Sequence, residues 1–403
     1  MSHFVIIGAG QAGAALAAKL RALGHEGAIT LIGDEPSLPY QRPPLSKKYL
    51  MNEMTLEQLH LRPARFYEDQ GITLLTGRRV AEIRRESREI RLDDGTTLGY
   101  DGLALTTGAS PRRLPAAMGG DLERVYVVRD LADVARMGPE FVAGRRVLIV
   151  GGGYIGLEAA AVAAKLGLSV TLLEAAPRIL QRVAAPETSD FFRALHGENG
   201  VAIIEGTGLA SLRGTGDGAI TADLADGRVL NVDFVIAGIG VAANDRLARE
   251  AGLACEGGII VDARGQSSDP AIWAAGDCTV LPYRGAMIRL ESVQNAIDQA
   301  EAVAANMLGA EADYHPKPWF WSDQYALKLQ IAGLNTGFDR VVVRKAEGAT
   351  TCSHWYFKGE TLLAVDAMND PRNYMIGKRL IEAGRSPEAA VIADPASDLK
   401  ALL

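Results

Sequence analysis

Two glycine clusters supply the residues best suited to chemistry. Gly8-Ala9-Gly10-Gln11-Ala12-Gly13 follows the apolar run Phe4-Val5-Ile6-Ile7, and Gly151-Gly152-Gly153-Tyr154-Ile155-Gly156 follows a second apolar run that begins at Val147. In such a turn the first glycine permits the tight bend and the second lets backbone approach a pyrophosphate. The third lets the following helix pack close to its strand. The helix N-terminus then offers free N–H groups and the positive end of its dipole to the phosphates. Each cluster is followed, roughly 20 residues on, by an apolar strand ending in an acid: Ile29-Thr30-Leu31-Ile32-Gly33-Asp34 and Val170-Thr171-Leu172-Leu173-Glu174. Together these features predict two dinucleotide-binding βαβ units, with Asp34 and Glu174 at the ribose positions. A carboxylate at Glu174 accepts from ribose hydroxyls and repels a 2′-phosphate, which favours NADH over NADPH. Arg178 and Arg182 lie shortly downstream. They either soften that preference or are solvated surface charges. Two nucleotide sites on one chain suggest hydride transfer between two dinucleotides, one held and one exchanged.

These sites need a scaffold of more than one domain, and 403 residues is enough for two or three. Between the clusters, Ile72–Thr106 contains short strands such as Glu89–Leu92 and the turn Asp93-Asp94-Gly95, the pattern of a β-meander. Two more apolar strands end in glycines: Phe234-Val235-Ile236-Ala237 runs into Gly238-Ile239-Gly240, and Ile272-Trp273-Ala274-Ala275 into Gly276-Asp277. From Pro318 the character changes. Strand patterns in Trp319–Ile331, Arg340–Arg344 and His354–Val365, then a helical pattern in Asn373–Glu382, predict a third, α+β domain. The net charge of −7 argues against nucleic acid, whose phosphates call for a concentrated positive field. No apolar stretch is long enough to span a bilayer, and no basic leader precedes Phe4, so neither membrane insertion nor a signal peptide is expected. Cys255, Cys278 and Cys352 form no Cys-x-x-Cys pair and sit in no metal-ligand cluster, so no metal is expected. Free thiols fit a reducing compartment, the cytoplasm by default.

Taken in order, the two glycine clusters, Gly276-Asp277, and the run Thr106-Thr107-Gly108-Ala109-Ser110-Pro111-Arg112 resemble the glutathione-reductase-like flavoproteins. Within that superfamily, disulfide reductases and related peroxidases carry one or two cysteines in the helix near residues 40–50. Here the segment reads Pro39-Tyr40-Gln41-Arg42-Pro43-Pro44-Leu45-Ser46-Lys47-Lys48-Tyr49-Leu50, without cysteine, which excludes thiol turnover at the flavin. The Arg-Pro-Pro-Leu-Ser-Lys run instead resembles the NADH-dependent ferredoxin reductases of bacterial oxygenase systems. So do Tyr154–Glu158, Ile236–Gly240, Arg289–Ala296 and Pro318–Tyr325. The resemblance implies FAD and NAD as cofactors, NADH as donor and a two-iron ferredoxin as acceptor. It also implies an α/β fold with two Rossmann-like domains and a C-terminal α+β domain. The FAD domain would take residues 1–110 and 242–318, the NAD domain 111–241 and the last domain 319–403. The alternatives are a rubredoxin reductase, an NADH oxidase, or an NADH-sensing flavoprotein like apoptosis-inducing factor.

Carried over by position, FAD would meet Gly8, Gly10, Ala12, Gly13, Asp34, Lys47, Val80, Thr107, Gly108, Arg129, Gly276, Asp277 and Val293. NAD would meet Gly151, Gly153, Ile155, Gly156, Glu174 and Gly240. Lys47 is expected to place a cation near the flavin, and Glu158 to pair with it at the flavin–nicotinamide junction. Their bland readings are a surface lysine at a helix start and a carboxylate favoured by an early helical turn. Tyr154 is read either as a mobile ring over the flavin or as ordinary packing in the turn. Trp321 and Trp319 lie either beside the isoalloxazine or in the core of the third domain.

Overall fold

The computed structural model describes residues 2–216, 218–346 and 351–403. Among them the chain divides into two compact units. The first comprises Met1–Arg42, Met54–Ser110 and Val241–Pro318; the second comprises Pro43–Glu53, Pro111–Gly240 and Trp319–Leu403.

In the first unit a parallel sheet runs in the order Ile272–Ala274, Gly102–Leu105, Phe4–Ile7, Ile29–Ile32, Ile72–Leu75. The near-continuous apolar strands are buried on both faces, as parallel strands require. Helix Gln11–Ala22 and helix Val293–Met307 pack against each other over this sheet through Leu16, Ala17, Leu20, Ala300, Val303 and Ala304. The expected meander is present as Val80–Arg84, Glu89–Leu92 and Thr97–Gly99, antiparallel throughout.

The second unit repeats the parallel plan in the order Ala202–Glu205, Ser169–Glu174, Arg146–Val150, Phe234–Ala237, Val125–Tyr126. Helix Tyr154–Lys165 follows Arg146–Val150. An antiparallel sheet in the same unit runs Trp319–Gln324, Leu327–Gly333, Thr361–Met368, Cys352–Lys358, Arg340–Arg344. One of its faces buries Trp355, Phe357, Val365 and Ala367 against Tyr374, Ile376 and Leu380 of helix Pro371–Glu382. The strand patterns read over Trp319–Ile331 and His354–Val365 are each a hairpin with a tight turn inside. Tyr325 takes φ +55° and Gly359 φ +54° at those turns. A tyrosine in the left-handed region carries no turn signature, so the first hairpin does not announce itself. Among the described residues no helix is long and apolar enough to cross a membrane.

Candidate functional site

The first cradle is built by close approach of backbone. Gly8 sits at φ +112° and donates its N–H to Ile32 O at 2.8 Å. A Cβ on Gly8 would lie 2.2 Å from Thr106 O, and one on Gly13 would lie 2.0 Å from Gly8 O. Both positions therefore exclude any side chain. At Gly10 the situation reverses: a Cβ would meet no described atom within 4 Å. Gly10 starts helix Gln11–Ala22 in extended conformation and has no side chain to cap it. That combination, an uncapped helix end beside an open glycine, fits a pyrophosphate. Gly276, at φ +86°, faces Ala12, whose Cβ lies 3.1 Å from the position a Cβ would take there. The Gly276 N–H donates to Gln299 Oε1 at 2.8 Å, which leaves the neighbouring Asp277 half-buried at the turn. Val293 opens helix Val293–Met307 after the capping residue Ser292. Thr107 and Gly108 are clasped by Asn244: Thr107 Oγ1 donates to Asn244 O at 2.7 Å, Asn244 Nδ2 donates to Thr107 O at 2.8 Å, and Asn244 N donates to Gly108 O at 2.9 Å. Asp34 is exposed, its nearest cation being Arg79 at 3.8 Å. Val80 is buried at the head of its strand.

The second cradle follows the same rules. Gly151 has φ +111° and donates to Leu173 O at 2.8 Å. A Cβ on Gly156 would stand 2.0 Å from Gly151 O, and one on Gly153 would meet no described atom within 4 Å. Glu174 is held by two backbone donors, Gly152 N at 2.6 Å and Ala176 N at 2.8 Å. Gly152 is needed for this, because a Cβ there would come 2.7 Å from Ile179 Cγ2 and 3.1 Å from Glu174 Oε2. Gly152 has no assigned role in the glycine motif, and its signal in the sequence is the unbroken run of three glycines. Ile155 is exposed on the first turn of the helix despite its apolar side chain, and Gly240 turns at φ +93° with Arg182 beside it. Arg178 is engaged within the unit by donating to Ser189 Oγ at 2.6 Å, whereas Arg182 is exposed.

A buried ion pair stands one turn into that helix. Lys47 Nζ donates to Glu158 Oε2 at 2.6 Å, with side-chain exposures of 15% and 6%. Ser46 Oγ donates to the same oxygen at 3.2 Å, and Ser322 Oγ donates to Oε1 at 2.7 Å. Pro43–Ser46 forms a short 3-10 turn that delivers Ser46 and Lys47 together. Burying two charges is tolerated where extra hydrogen bonds satisfy the carboxylate. Ser46 and Ser322 were not singled out in the sequence. The signal for Ser322 is the strand alternation that puts Phe320, Ser322 and Gln324 on one face of Trp319–Gln324, and Trp319 and Trp321 on the other, whereas Ser46 is marked only by its place beside Lys47.

Tyr154 packs on Phe320 with ring centroids 5.1 Å apart. Part of its ring reaches the surface, but its hydroxyl is buried without a hydrogen-bond partner among the described residues. Burial, with the nearby Asp366 charge, drives its pKa well upward, so it stays a neutral phenol. Trp321 is half-buried, its ring centroid 5.5 Å from that of Trp319 with the rings tilted at 33°. Its strand face is opposite to the one that presents Ser322, so it is not brought to Glu158. Arg129 is half-buried, and its N–H donates to Asp133 Oδ2 at 3.0 Å. Burial raises the thiols of Cys255, Cys278 and Cys352, so none is poised as a thiolate nucleophile.

Residues 2–300 match the family model described as pyridine nucleotide-disulphide oxidoreductase, and 319–403 match one described as reductase C-terminal. The chain is 42% identical to rhodocoxin reductase of Rhodococcus erythropolis over 98% of its own length and 93% of that protein's. It is 41% identical to putidaredoxin reductase of Pseudomonas putida, over 100% of its own length and 96% of the relative's. Among solved structures it resembles the reductase of the covalent putidaredoxin reductase–putidaredoxin complex, at 40% identity and a TM-score of 0.95, covering 99% of this chain and 97% of that one. Paired glycine cradles and these full-length likenesses agree: the chain belongs to the pyridine nucleotide-disulphide oxidoreductase family and carries a reductase C-terminal domain.

Proposed function

We propose that this protein is an NADH-dependent, FAD-containing ferredoxin reductase that passes electrons to a two-iron ferredoxin serving an oxygenase. The observation that carries the reading is the full-length likeness to reductases named for small redox carriers. The chemistry available along the chain agrees with it. Residues 39–50 hold no cysteine, which leaves no thiol for disulfide turnover at that position.

In this reading residues 1–110 and 242–318 hold FAD, 111–241 bind NADH, and 319–403 complete the exit side. FAD supplies the ability to accept a hydride and release single electrons. The protein contributes orientation and electrostatics. Gly8, Gly10, Ala12 and Gly13 receive the FAD pyrophosphate, with Asp34, Val80, Thr107, Gly108, Arg129, Gly276, Asp277 and Val293 around the remainder. Gly151, Gly153, Ile155, Gly156 and Gly240 receive the NADH phosphates and ribose. Glu174, pinned by Gly152 and Ala176, accepts from ribose hydroxyls and repels a 2′-phosphate. Lys47 offers a fixed cation where negative charge gathers on reduction, and Glu158 holds that cation in place. Tyr154 and Trp321 shape the two sides of the reacting ring.

The deciding experiment is steady-state NADH oxidation with and without a two-iron ferredoxin from the same source. Turnover should rise strongly with ferredoxin and weaken as salt increases, because charge steers the docking of an acidic carrier. Turnover no faster with ferredoxin than with oxygen, at any ionic strength, would replace this reading with an oxidase or a sensor. FAD should also leave the protein on acid precipitation. Flavin retained in the pellet would contradict the non-covalent cradle.

A further inference from the structure

Glu158 is the terminus of a longer buried chain whose hydrogen directions can be deduced one after another. A carboxylate only accepts hydrogen bonds. Ser322 therefore spends its single proton on Glu158 Oε1, at 2.7 Å. Its oxygen must then accept from Gln324, whose Nε2 lies 3.1 Å away. That fixes the amide, so Gln324 Oε1 is the atom 2.8 Å from His196 Nε2. His196 consequently carries its proton on Nε2, and its bare Nδ1 accepts from the Tyr325 hydroxyl at 3.1 Å. Every link from Tyr325 to Ser322 donates toward Glu158. Relative exposures are 5% for Glu158, 1% for Ser322 and Gln324, and 0% for His196. Burial also lowers the His196 pKa, which agrees with a neutral ring.

The members come from separate elements of the second unit. Glu158 lies on helix Tyr154–Lys165, His196 on helix Pro186–Glu198, and Ser322 and Gln324 on strand Trp319–Gln324. Inside a protein such a chain is worth more than in water, because the effective dielectric is low and aligned donors polarise one another. A carboxylate that also accepts from Lys47 and Ser46 has little freedom left to rotate.

We propose that Ser322, Gln324, His196 and Tyr325 are positioning residues for flavin reduction by NADH: they aim an unbroken line of donors at Glu158 and thereby fix the Lys47 ammonium. The inference rests on the proposed role of the Lys47–Glu158 pair in hydride entry. It assigns the C-terminal strand and the nucleotide-domain helices a shared task in the reductive half-reaction, not only in electron exit.

The test uses the holoenzyme with 15N-labelled histidine, the His196 resonances being assigned by their loss in His196→Asn. A neutral Nε2–H tautomer is expected at neutral and alkaline pH, and its shifts should move in both Glu158→Gln and Tyr325→Phe. Stopped-flow reduction by NADH supplies the second readout. Gln324→Met should lower the limiting rate on the order of 10-fold, with the NADH dissociation constant within about 2-fold of wild type. Tyr325→Phe, which disturbs packing least, should lower it about 2-fold. Gln324→Met/Glu158→Gln should be no slower than Glu158→Gln alone, as expected of groups acting through one another. An Nδ1–H or cationic His196, losses that multiply in the double variant, or a change in NADH affinity alone would overturn the chain. A wild-type reduction rate in Glu158→Gln would instead overturn the role of the ion pair, whatever the tautomer.

Discussion

The two glycine cradles share one backbone and differ in what stands opposite it. Their first glycines adopt φ +112° and φ +111°. In both, a Cβ on the last glycine would lie 2.0 Å from the first glycine's oxygen. Gly8 and Gly151 bond to Ile32 and Leu173, so the residues that follow these two acceptors are equivalent: Gly33 in one cradle, Glu174 in the other. Opposite Gly33 stands Ala9, and opposite Glu174 stands Gly152. The small residue has changed sides. A glycine in the turn makes room for a carboxylate at the strand end, whereas an alanine in the turn demands a glycine there and displaces the acid to Asp34. A second difference lies one turn into the helix, where Ala15 and Glu158 stand equally far past their first glycines. Ala15 packs into an apolar core, while Glu158 anchors the buried polar chain. The shared geometry suits the phosphate binding proposed for both sites, and two side-chain exchanges distinguish the tasks proposed for them.

The strongest way to break this comparison is to close each cradle in turn. Gly13→Ala should yield protein without bound flavin. Gly156→Ala should stay yellow but lose reduction by NADH, since each added Cβ overlaps backbone at 2.0 Å and overpacking of that kind costs up to about 3 kcal/mol or more. Flavin absorbance per chain and stopped-flow reduction measure the two outcomes. Loss of flavin from both variants alike would mean that the cradles are not separate in function.

Next in size is the exchange at the ion pair. Glu158→Gln should slow flavin reduction about 10- to 100-fold while flavin content holds. It should also lower stability by about 3–5 kcal/mol, because Lys47 is left as a buried charge without its counterion. Chemical denaturation followed beside stopped-flow kinetics separates the two effects. Unchanged stability would show that the Lys47 side chain escapes to solvent.

The exchange across the turn should act on NADH recognition. Gly152→Ala should raise the Michaelis constant for NADH about 10-fold with little change in maximal rate, and Ala9→Gly in the other cradle should leave it unaltered. Glu174→Arg should narrow or reverse the preference for NADH over NADPH. A wild-type enzyme that uses both equally well would remove Glu174 from the argument.

The smallest expected effect concerns pH and the polar face behind the second cradle. Asp366 is buried, accepts from Thr188 at 3.0 Å and from Tyr356, and has its pKa raised to about 7, chiefly by burial. Its stabilising contribution is full below the unfolded value near ~4 and is lost as pH rises through about 7. His354, beside Thr188 at 2.7 Å, is lowered by burial to about 4. It contributes in full above an unfolded value near ~6.5 and loses that contribution as pH falls through about 4. The two nearly offset each other in wild type. Asp366→Asn should make the melting temperature climb with pH between about 4.5 and 6.5, and His354→Gln should make it fall, each by a few degrees. Parallel pH profiles in wild type and both variants would show that neither group is perturbed.

Much of this protein was written in local sequence. The glycine spacing, the apolar runs before it and Glu174 at a strand end mark two nucleotide folds because backbone sterics at the first and last glycine of each turn admit no other residue. The cysteine-free Pro39–Leu50 segment likewise narrows the chemistry from local sequence. Tertiary structure decided what depends on distant segments meeting. From sequence Glu158 is either the partner of Lys47 or a helix-start carboxylate, and only the fold closes Lys47, Ser46 and Ser322 around it from elsewhere in the chain. Ser322, Gln324 and His196 look like ordinary polar residues, and only packing shows that they are buried and must hydrogen-bond to one another. The split of Trp319–Ile331 into a hairpin at Tyr325 was hidden for a related reason: its left-handed φ is imposed by the strands on either side, not by a turn-forming side chain. Short-range sterics leave their mark in neighbouring residues, whereas the satisfaction of buried polar groups is settled only when the chain has folded.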